Sequence, residues 1–444
     1  MTEEGSTAGD VGTPASKSKM SVSRFCDTST DNWTTEKKLR WKLREEARNR
    51  LLQFETEKIP SDEEIDAFCD VLKQNHSPPL SEGVEMIRYD AYRKALCDCS
   101  PLIRTFIPPT TFVCLQSMNS HDPYGRVPVN SIDTYLRLRK DKMNKIIALS
   151  YYDSSGKGFL TDDDLTEYIS EEYISRSPSL CMLEACGSYG RNYYLTMAVR
   201  KFFFFLDPMH HRRIRIIDVV SSGFLEELES VVNAPEIIDE EDKSSECVSS
   251  TLKSDEPPNW FSKANCQQVA DLYLQLDSDG NGLLSFAEMS DFRHVTNAFM
   301  QRVFEVHQSY ENSEIDLRGF CDLLLAMNYK DDPVALTYYF RALDVNEDGY
   351  LDSSDLAFFY SDLADLYNEY VDGFLPTPLF DDIKSEIFDI CRPKDPLRIS
   401  LKDLIACGKG GTIVGMLTDL DCLWKYENRD DLACQKEQAD GIRY

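Results

Sequence analysis

Hydrophobic residues recur at three- and four-residue steps along much of the chain, the spacing that gives an α-helix one apolar face. From Thr35 the sequence places Leu39, Leu43, Ala47, Leu51 and Phe54 on such a stripe, and it predicts an amphipathic helix opening a folded part that starts near Trp33. Ser61 followed by Glu64 has the form of a capping box and predicts a second helix carrying Ile65, Phe68, Val71 and Leu72. Phe202 to Phe205 are consecutive. Four adjacent phenylalanines cover every side of a helix and are costly to expose, so this run predicts a buried helix rather than a docking patch. Elsewhere the pattern is helix, short polar loop, helix, with no alternation of strands and helices. The predicted fold class is all-α with tiny paired strands.

Two of the polar loops carry a chemical pattern. Calcium is a hard cation that takes only oxygen ligands. A helix-loop-helix unit of the EF-hand type supplies them from the first, third, fifth, seventh, ninth and twelfth loop positions, with glycine at the sixth. The segment Asp277 to Glu288 fits each slot: Asp277, Asp279 and Asn281 offer side-chain oxygens, Leu283 its carbonyl, Ser285 a hydroxyl or bridging water, and Glu288 a bidentate carboxylate, with Gly282 at the turn. Apolar Leu284 at the eighth position is placed to pair with a neighbouring loop, and Ile315 sits where that partner belongs. The flanks Val269, Leu272, Leu276, Phe286, Met289 and Phe292 read as helical and apolar. An Asp/Asn-rich surface turn is the competing reading, and the full set of matched slots decides against it.

The segment Asp344 to Asp355 offers Asp344, Asn346, Asp348, the Tyr350 carbonyl, Asp352 and Asp355, with Gly349 at the turn. Aspartate at the twelfth position is one methylene shorter than glutamate, so this loop is expected to hold calcium weakly or to prefer magnesium. Three further stretches keep the scaffold and lose the ligands. Asp153 to Asp164 has Lys157 at the fifth position, Asp207 to Asp218 has His211 and Arg212 at the fifth and sixth, and the stretch around Ile399 has Pro393, Pro396 and Arg398. Asp122, Tyr124, Gly125 and Val127 mark another vestigial loop. All of these are expected to be metal-free. The neighbours His210 and His211 point different ways along the chain and lack a convergent Cys or Glu, so a loop surface is the reading for them.

Composition then bounds the function. The chain has 444 residues, 42% of them hydrophobic, which allows two or three domains. Its formal charge of −29 repels phosphate backbones and anionic lipid, and disfavours nucleic-acid and membrane roles. No apolar run has the length of a membrane helix. The opening residues Thr2, Glu3 and Glu4 lack the pattern of a secretory signal, which gives an intracellular expectation. The 14 cysteines are scattered and read as reduced, mostly buried thiols. No phosphate-cradling loop, nucleophile elbow or zinc-protease motif occurs, so catalysis has no support in the sequence.

The predicted organisation follows: a disordered tail at 1–32, an N-terminal helical region at 33–110, and a first EF-hand-like module with degenerate loops at 111–232. An acidic linker at 233–258, a second EF-hand module with loops 277–288 and 344–355 at 259–420, and a C-terminal tail at 421–444 complete it. The linker is the strongest boundary, because Pro235 to Pro258 holds eight acidic residues and five serines and almost no aromatic ones. The fold is thus expected to be stacked EF-hand helix-loop-helix pairs in two modules, with an N-terminal helical extension.

Longer strings carry a more specific signal. Ala198 to Pro208, Asn259-Trp-Phe-Ser262, Glu386 to Asp389, Pro393 to Asp403 and Trp424 to Arg429 resemble the B-double-prime regulatory subunits of protein phosphatase 2A, particularly the gamma type, over about Lys42 to Arg429. The resemblance implies a non-catalytic subunit that docks on the phosphatase scaffold and catalytic subunits and directs activity to substrates or places. Centrosomal or microtubule-associated proteins are among the partners it implies, and cytoplasm, nucleus and centrosome among the locations. Two other readings compete: an independent calcium sensor or adaptor that opens an apolar groove for a target helix, and a static cytoskeletal scaffold.

Overall fold

The computed structural model describes residues 35–78, 84–108, 110–118, 122–177, 188–232, 259–290, 292, 295–307, 314–370 and 377–429. Residues 1–32, 233–258 and 430–444, where a tail, a linker and the end of a second tail are expected, lie outside them. The chain divides into two compact units, Met1–Ile132 and Asp133–Tyr444. Both are helical, with strands of two or three residues, and no described helix is long and apolar enough to cross a membrane.

In the first unit, helix Thr35–Glu57 forms as the periodicity predicts. Its expected core stripe is solvent-facing, however: Leu39, Leu43, Leu51 and Phe54 are each more than half exposed, and Leu52 is the buried position. Helix Asp62–Gln74 starts at the capping box, where Ser61 accepts the Glu64 N–H and Glu64 accepts the Ser61 N–H, and it buries Ile65, Phe68 and Leu72. Strands Met86–Ile87 and Val127–Pro128 pair antiparallel. The region expected to be a helical extension up to residue 110 therefore already contains one half of a loop pair. The signal missed was an apolar pair, Met86 and Ile87, immediately before helix Tyr89–Asp98.

In the second unit, the pairing repeats. Leu160 pairs with Ile214, Leu284 with Ile315, and Leu351 with Ile399, each antiparallel. With Ile87 and Val127 of the first unit, all eight of these apolar residues are at most 2% exposed. A branched apolar residue at the eighth loop position is what stitches two loops together, whether or not either loop keeps metal ligands.

The acidic linker is not a domain boundary. Helix Ser188–Leu206 precedes it and helices Lys263–Leu276 and Leu317–Asn328 follow it, yet their side chains enter one hydrophobic core. Trp260 Nε1 donates to the Met197 carbonyl at 3.0 Å and Tyr194 donates to the Phe261 carbonyl at 3.0 Å. Arg200 grips Asp322 at 2.5 and 2.7 Å. Lys201, 1% exposed, reaches Glu227 at 2.6 Å and Tyr329 at 2.9 Å amid the rings of Phe224 and Phe261. Phe202, Phe203 and Phe204 are buried, as the consecutive run predicts. The expected C-terminal tail also starts too early, because helix Leu420–Glu427 buries Leu420 and Leu423. Among the described thiols, Cys69, Cys266, Cys321 and Cys391 are buried, Cys99, Cys407 and Cys422 are half-buried, and Cys97 and Cys114 are exposed.

Candidate metal centre

The loop at Asp277 is built from helix ends. Asp277 closes helix Lys263–Leu276, and its carboxylate accepts the N–H of Asn281 at 3.1 Å and of Gly282 at 3.0 Å. Gly280 and Gly282 turn the chain at φ values of +69° and +80°, a region side chains avoid. Tyr273 pins the turn by donating to the Gly282 carbonyl at 2.7 Å. The Asp279 carboxylate accepts from the Asn281 backbone N–H at 3.0 Å and from its side-chain amide at 3.1 Å. The Asn281 side-chain oxygen accepts the Leu283 N–H at 2.6 Å.

Glu288 arrives from the next helix, Phe286–Met289, whose capping box it forms with Ser285. One of its oxygens accepts the N–H and hydroxyl of Ser278, each at 2.8 Å, and the other the N–H and hydroxyl of Ser285 at 2.9 and 2.8 Å. These donors, Ser285 foremost, hold its pKa down at about 2. Asp277, Asp279 and Glu288 bring carboxylate oxygens within 4.8 Å of one another. Three converging carboxylates repel each other unless a cation lies between them, and the donors are all hard oxygens, so the set fits calcium. Of the residues predicted for this loop, the structure gathers these three with Asn281 beside them, and turns the Ser285 hydroxyl toward Glu288.

The second loop repeats the backbone plan. Asp344 accepts the N–H of Asp348 at 3.1 Å and of Gly349 at 2.9 Å, and Asp355 accepts from Val345 at 3.1 Å and Asp352 at 3.0 Å. Asn346 and Asp348 accept the N–H of Asp348 and Tyr350, at 2.9 and 2.8 Å. Four differences separate it from the first. Its carboxylates are not among the converging groups found in the described residues. Asp352 spends an oxygen on the Ser354 and Asp355 N–H groups at the start of helix Ser353–Tyr370. Asp355 is 2% exposed, and burial, then the nearby charges of Asp352 and Asp344, raise its pKa. A cation would relieve that penalty. The Arg398 guanidinium, 4.0 Å from the centre of the Tyr350 ring and within electrostatic reach of Asp348, is a competing positive charge.

The ligand-poor loops keep the same hydrogen bonds. Asp153 accepts the Gly158 N–H at 2.7 Å and Asp164 the Thr161 N–H at 2.9 Å. Asp207 accepts from His211 and Arg212 at 2.8 and 2.7 Å, and both of those residues are exposed. Around Asp122 the cation comes from the chain itself: Arg126, 4% exposed, places Nη2 2.8 Å from the carboxylate and pulls its pKa down. The hydrogen-bond skeleton thus belongs to the fold, and the clustering of carboxylates distinguishes the loop at Asp277. Sequence reasoning missed the supporting donors Tyr273 and Ser278, which no ligand spacing marks.

No family model matches the chain. Among curated proteins it is 35% identical over 400 residues to the gamma form of the bovine B'' regulatory subunit of serine/threonine-protein phosphatase 2A, covering 89% of this chain and 82% of that one. The human protein of the same name is 34% identical over the same share of both chains. TON2 of Arabidopsis thaliana, a probable B'' regulatory subunit of the same phosphatase, is 29% identical, covering 87% of this chain and 78% of that one. Among solved structures, a chain of a PP2A PR70 holoenzyme matches with a TM-score of 0.50 at 20% identity, over 63% of this chain and 96% of that one. This last likeness is one of fold.

Proposed function

The chain belongs to the B'' regulatory subunits of protein phosphatase 2A, and from that premise we propose that it assembles with the phosphatase scaffold and catalytic subunits and holds calcium at Asp277 to Glu288. It is a regulatory subunit and not the phosphatase itself. The observation that carries the assembly is the extent of the similarity, 35% identity over 89% of the chain, far more than a loop motif. For calcium it is the approach of Asp277, Asp279 and Glu288 to within 4.8 Å.

In this reading Asp277, Asp279, Asn281, the Leu283 carbonyl, Ser285 and Glu288 hold the ion. A bound ion would supply the positive charge that neutralises the three carboxylates, and Asp277 and Glu288 would then tie the end of helix Lys263–Leu276 to the start of Phe286–Met289. The loop Asp344 to Asp355 is a weaker second site, taking calcium or magnesium. The protein would direct the phosphatase to substrates or places, with cytoplasm, nucleus and centrosome as the locations to examine.

The test is capture of purified scaffold and catalytic subunits by the full chain, in calcium and in chelator, beside Asp277→Ala. Capture in both conditions is expected if the metal stabilises the fold. Capture only in calcium, lost in the variant, would make the loop a switch. Failure to capture in any condition would overturn the assembly.

A further inference from the structure

Apart from the metal loops, the second unit holds a nucleophile and an amine in direct contact. Lys330 follows helix Leu317–Asn328, and its Nζ lies 3.2 Å from Cys422 Sγ and 3.0 Å from Asp419 Oδ2. Asp419 caps helix Leu420–Glu427 and accepts the Cys422 N–H at 3.2 Å, so the carboxylate positions both partners. The space is made by Gly415: a Cβ there would stand 3.1 Å from Cys422 Cβ and 3.3 Å from Sγ. Cys422 is neither buried nor fully exposed, and the Lys330 and Asp419 side chains are each 17% exposed, so a small oxidant can reach the group.

From this contact we infer that Lys330 and Cys422 form a covalent oxidative cross-link, a modification site made of residues outside the loops Asp277 to Glu288 and Asp344 to Asp355. Cys422 sulfur attacks a peroxide oxygen; the O–O bond breaks, water leaves, and a sulfenic acid forms. The unprotonated Lys330 amine then attacks that sulfur. An S–N bond forms, the S–O bond breaks, and the departing hydroxide takes the amine proton as a second water. One thiol, one amine and one peroxide thus give one sulfenamide and two waters. Sulfur is oxidised and peroxide reduced, and a thiol reductant reverses the step. Burial pushes the Cys422 thiol pKa up while the Lys330 charge opposes that rise; burial also works to lower the Lys330 pKa, and Asp419 and Cys422 together raise it above its ordinary value. The cross-link should therefore form faster as the pH is raised, and limiting peroxide should favour it over further oxidation of the sulfenic acid. The cross-link would fasten helix Leu420–Glu427 to the turn at Lys330.

The experiment treats the full chain with hydrogen peroxide, alkylates remaining thiols, and digests with trypsin for mass spectrometry. The expected result is a linked peptide pair containing Lys330 and Cys422, uncleaved at Lys330 and lighter than the sum of its parts by two hydrogens. The pair should vanish after dithiothreitol and be absent from Lys330→Arg and Cys422→Ser. Cys422 found oxidised, or unmodified, with Lys330 unlinked in the wild-type chain would overturn the inference, and that measurement does not depend on either variant folding.

Discussion

At the scale of single residues, the twelfth positions of the two candidate metal loops, Glu288 and Asp355, differ by one methylene. Glu288 spans from its helix to the Ser278 side of the loop. Asp355 makes the matching bonds from a more deeply buried carboxyl group. Glu288→Gln should weaken calcium binding by roughly tenfold or more, about 1.4 kcal/mol per decade, in titration calorimetry. Asp355→Glu should do the opposite at the second loop, raising its affinity until two binding events are resolved. A single unchanged event would refute the role given to that position.

His307 gives a pH test away from the metal. Its ring stacks on Tyr338 with centroids 3.6 Å apart, and Nε2 lies 3.2 Å from the Tyr338 carbonyl. Loss of solvent around the ring lowers its pKa from 6.5 to about 3. The folded state therefore binds fewer protons than the unfolded one between those values, so this contribution is full above pH 6.5 and shrinks as the pH falls toward 3. At pH 5 the loss is on the order of 2 kcal/mol, which His307→Gln should largely remove from the difference between urea midpoints at pH 7 and pH 5.

At the scale of elements, periodicity identifies helices but not what faces them. Helix Thr35–Glu57 was legible from its stripe, yet Leu43 is 59% exposed and Leu52 is 8% exposed. Leu43→Ser should move stability by no more than about 0.5 kcal/mol. Leu284→Ala, at a fully buried bridge between two loops, should cost about 2–5 kcal/mol by the cavity it leaves. Thermal unfolding of both variants checks the pair of expectations. The bridge Leu284–Ile315 was readable because the ligand spacing of the first loop fixes which residue occupies the eighth position. The pair Ile87–Val127 was only half readable, since Ile87 has no ligand pattern around it to set the register.

At the scale of the whole molecule, the acidic segment misleads. Composition makes 233–258 the best boundary in the chain, but Trp260, Phe261 and Cys266 after it share a core with Tyr194, Met197 and Phe202 before it. A specific protease site inserted within 233–258 and cut should therefore leave two fragments that co-elute in gel filtration and separate only in denaturant. Lys201→Met tests the same core, because it leaves Glu227 and the Tyr329 hydroxyl without their buried cation. Because the Glu227 side chain is 28% exposed, a cost of about 1–3 kcal/mol is expected in denaturant unfolding.

The sequence by itself determined the helical class, the capping box at Ser61, the buried Phe202–Phe204 run and the oxygen-donor spacing of the loop Asp277 to Glu288. Each of these is a local pattern in which neighbouring residues set backbone geometry or supply ligands at fixed spacing. Its long strings, from Ala198 to Arg429, also marked the phosphatase-subunit family. Only the tertiary structure decided that the stripe at Leu39 faces solvent, that the residues flanking the acidic segment share one core, that a loop pair begins at Met86, and that Lys330 meets Cys422. Those facts depend on contacts between residues far apart in the chain. Long-range packing is chosen by which apolar surfaces can be buried together, and neither the spacing along one helix nor the composition of one segment contains that information.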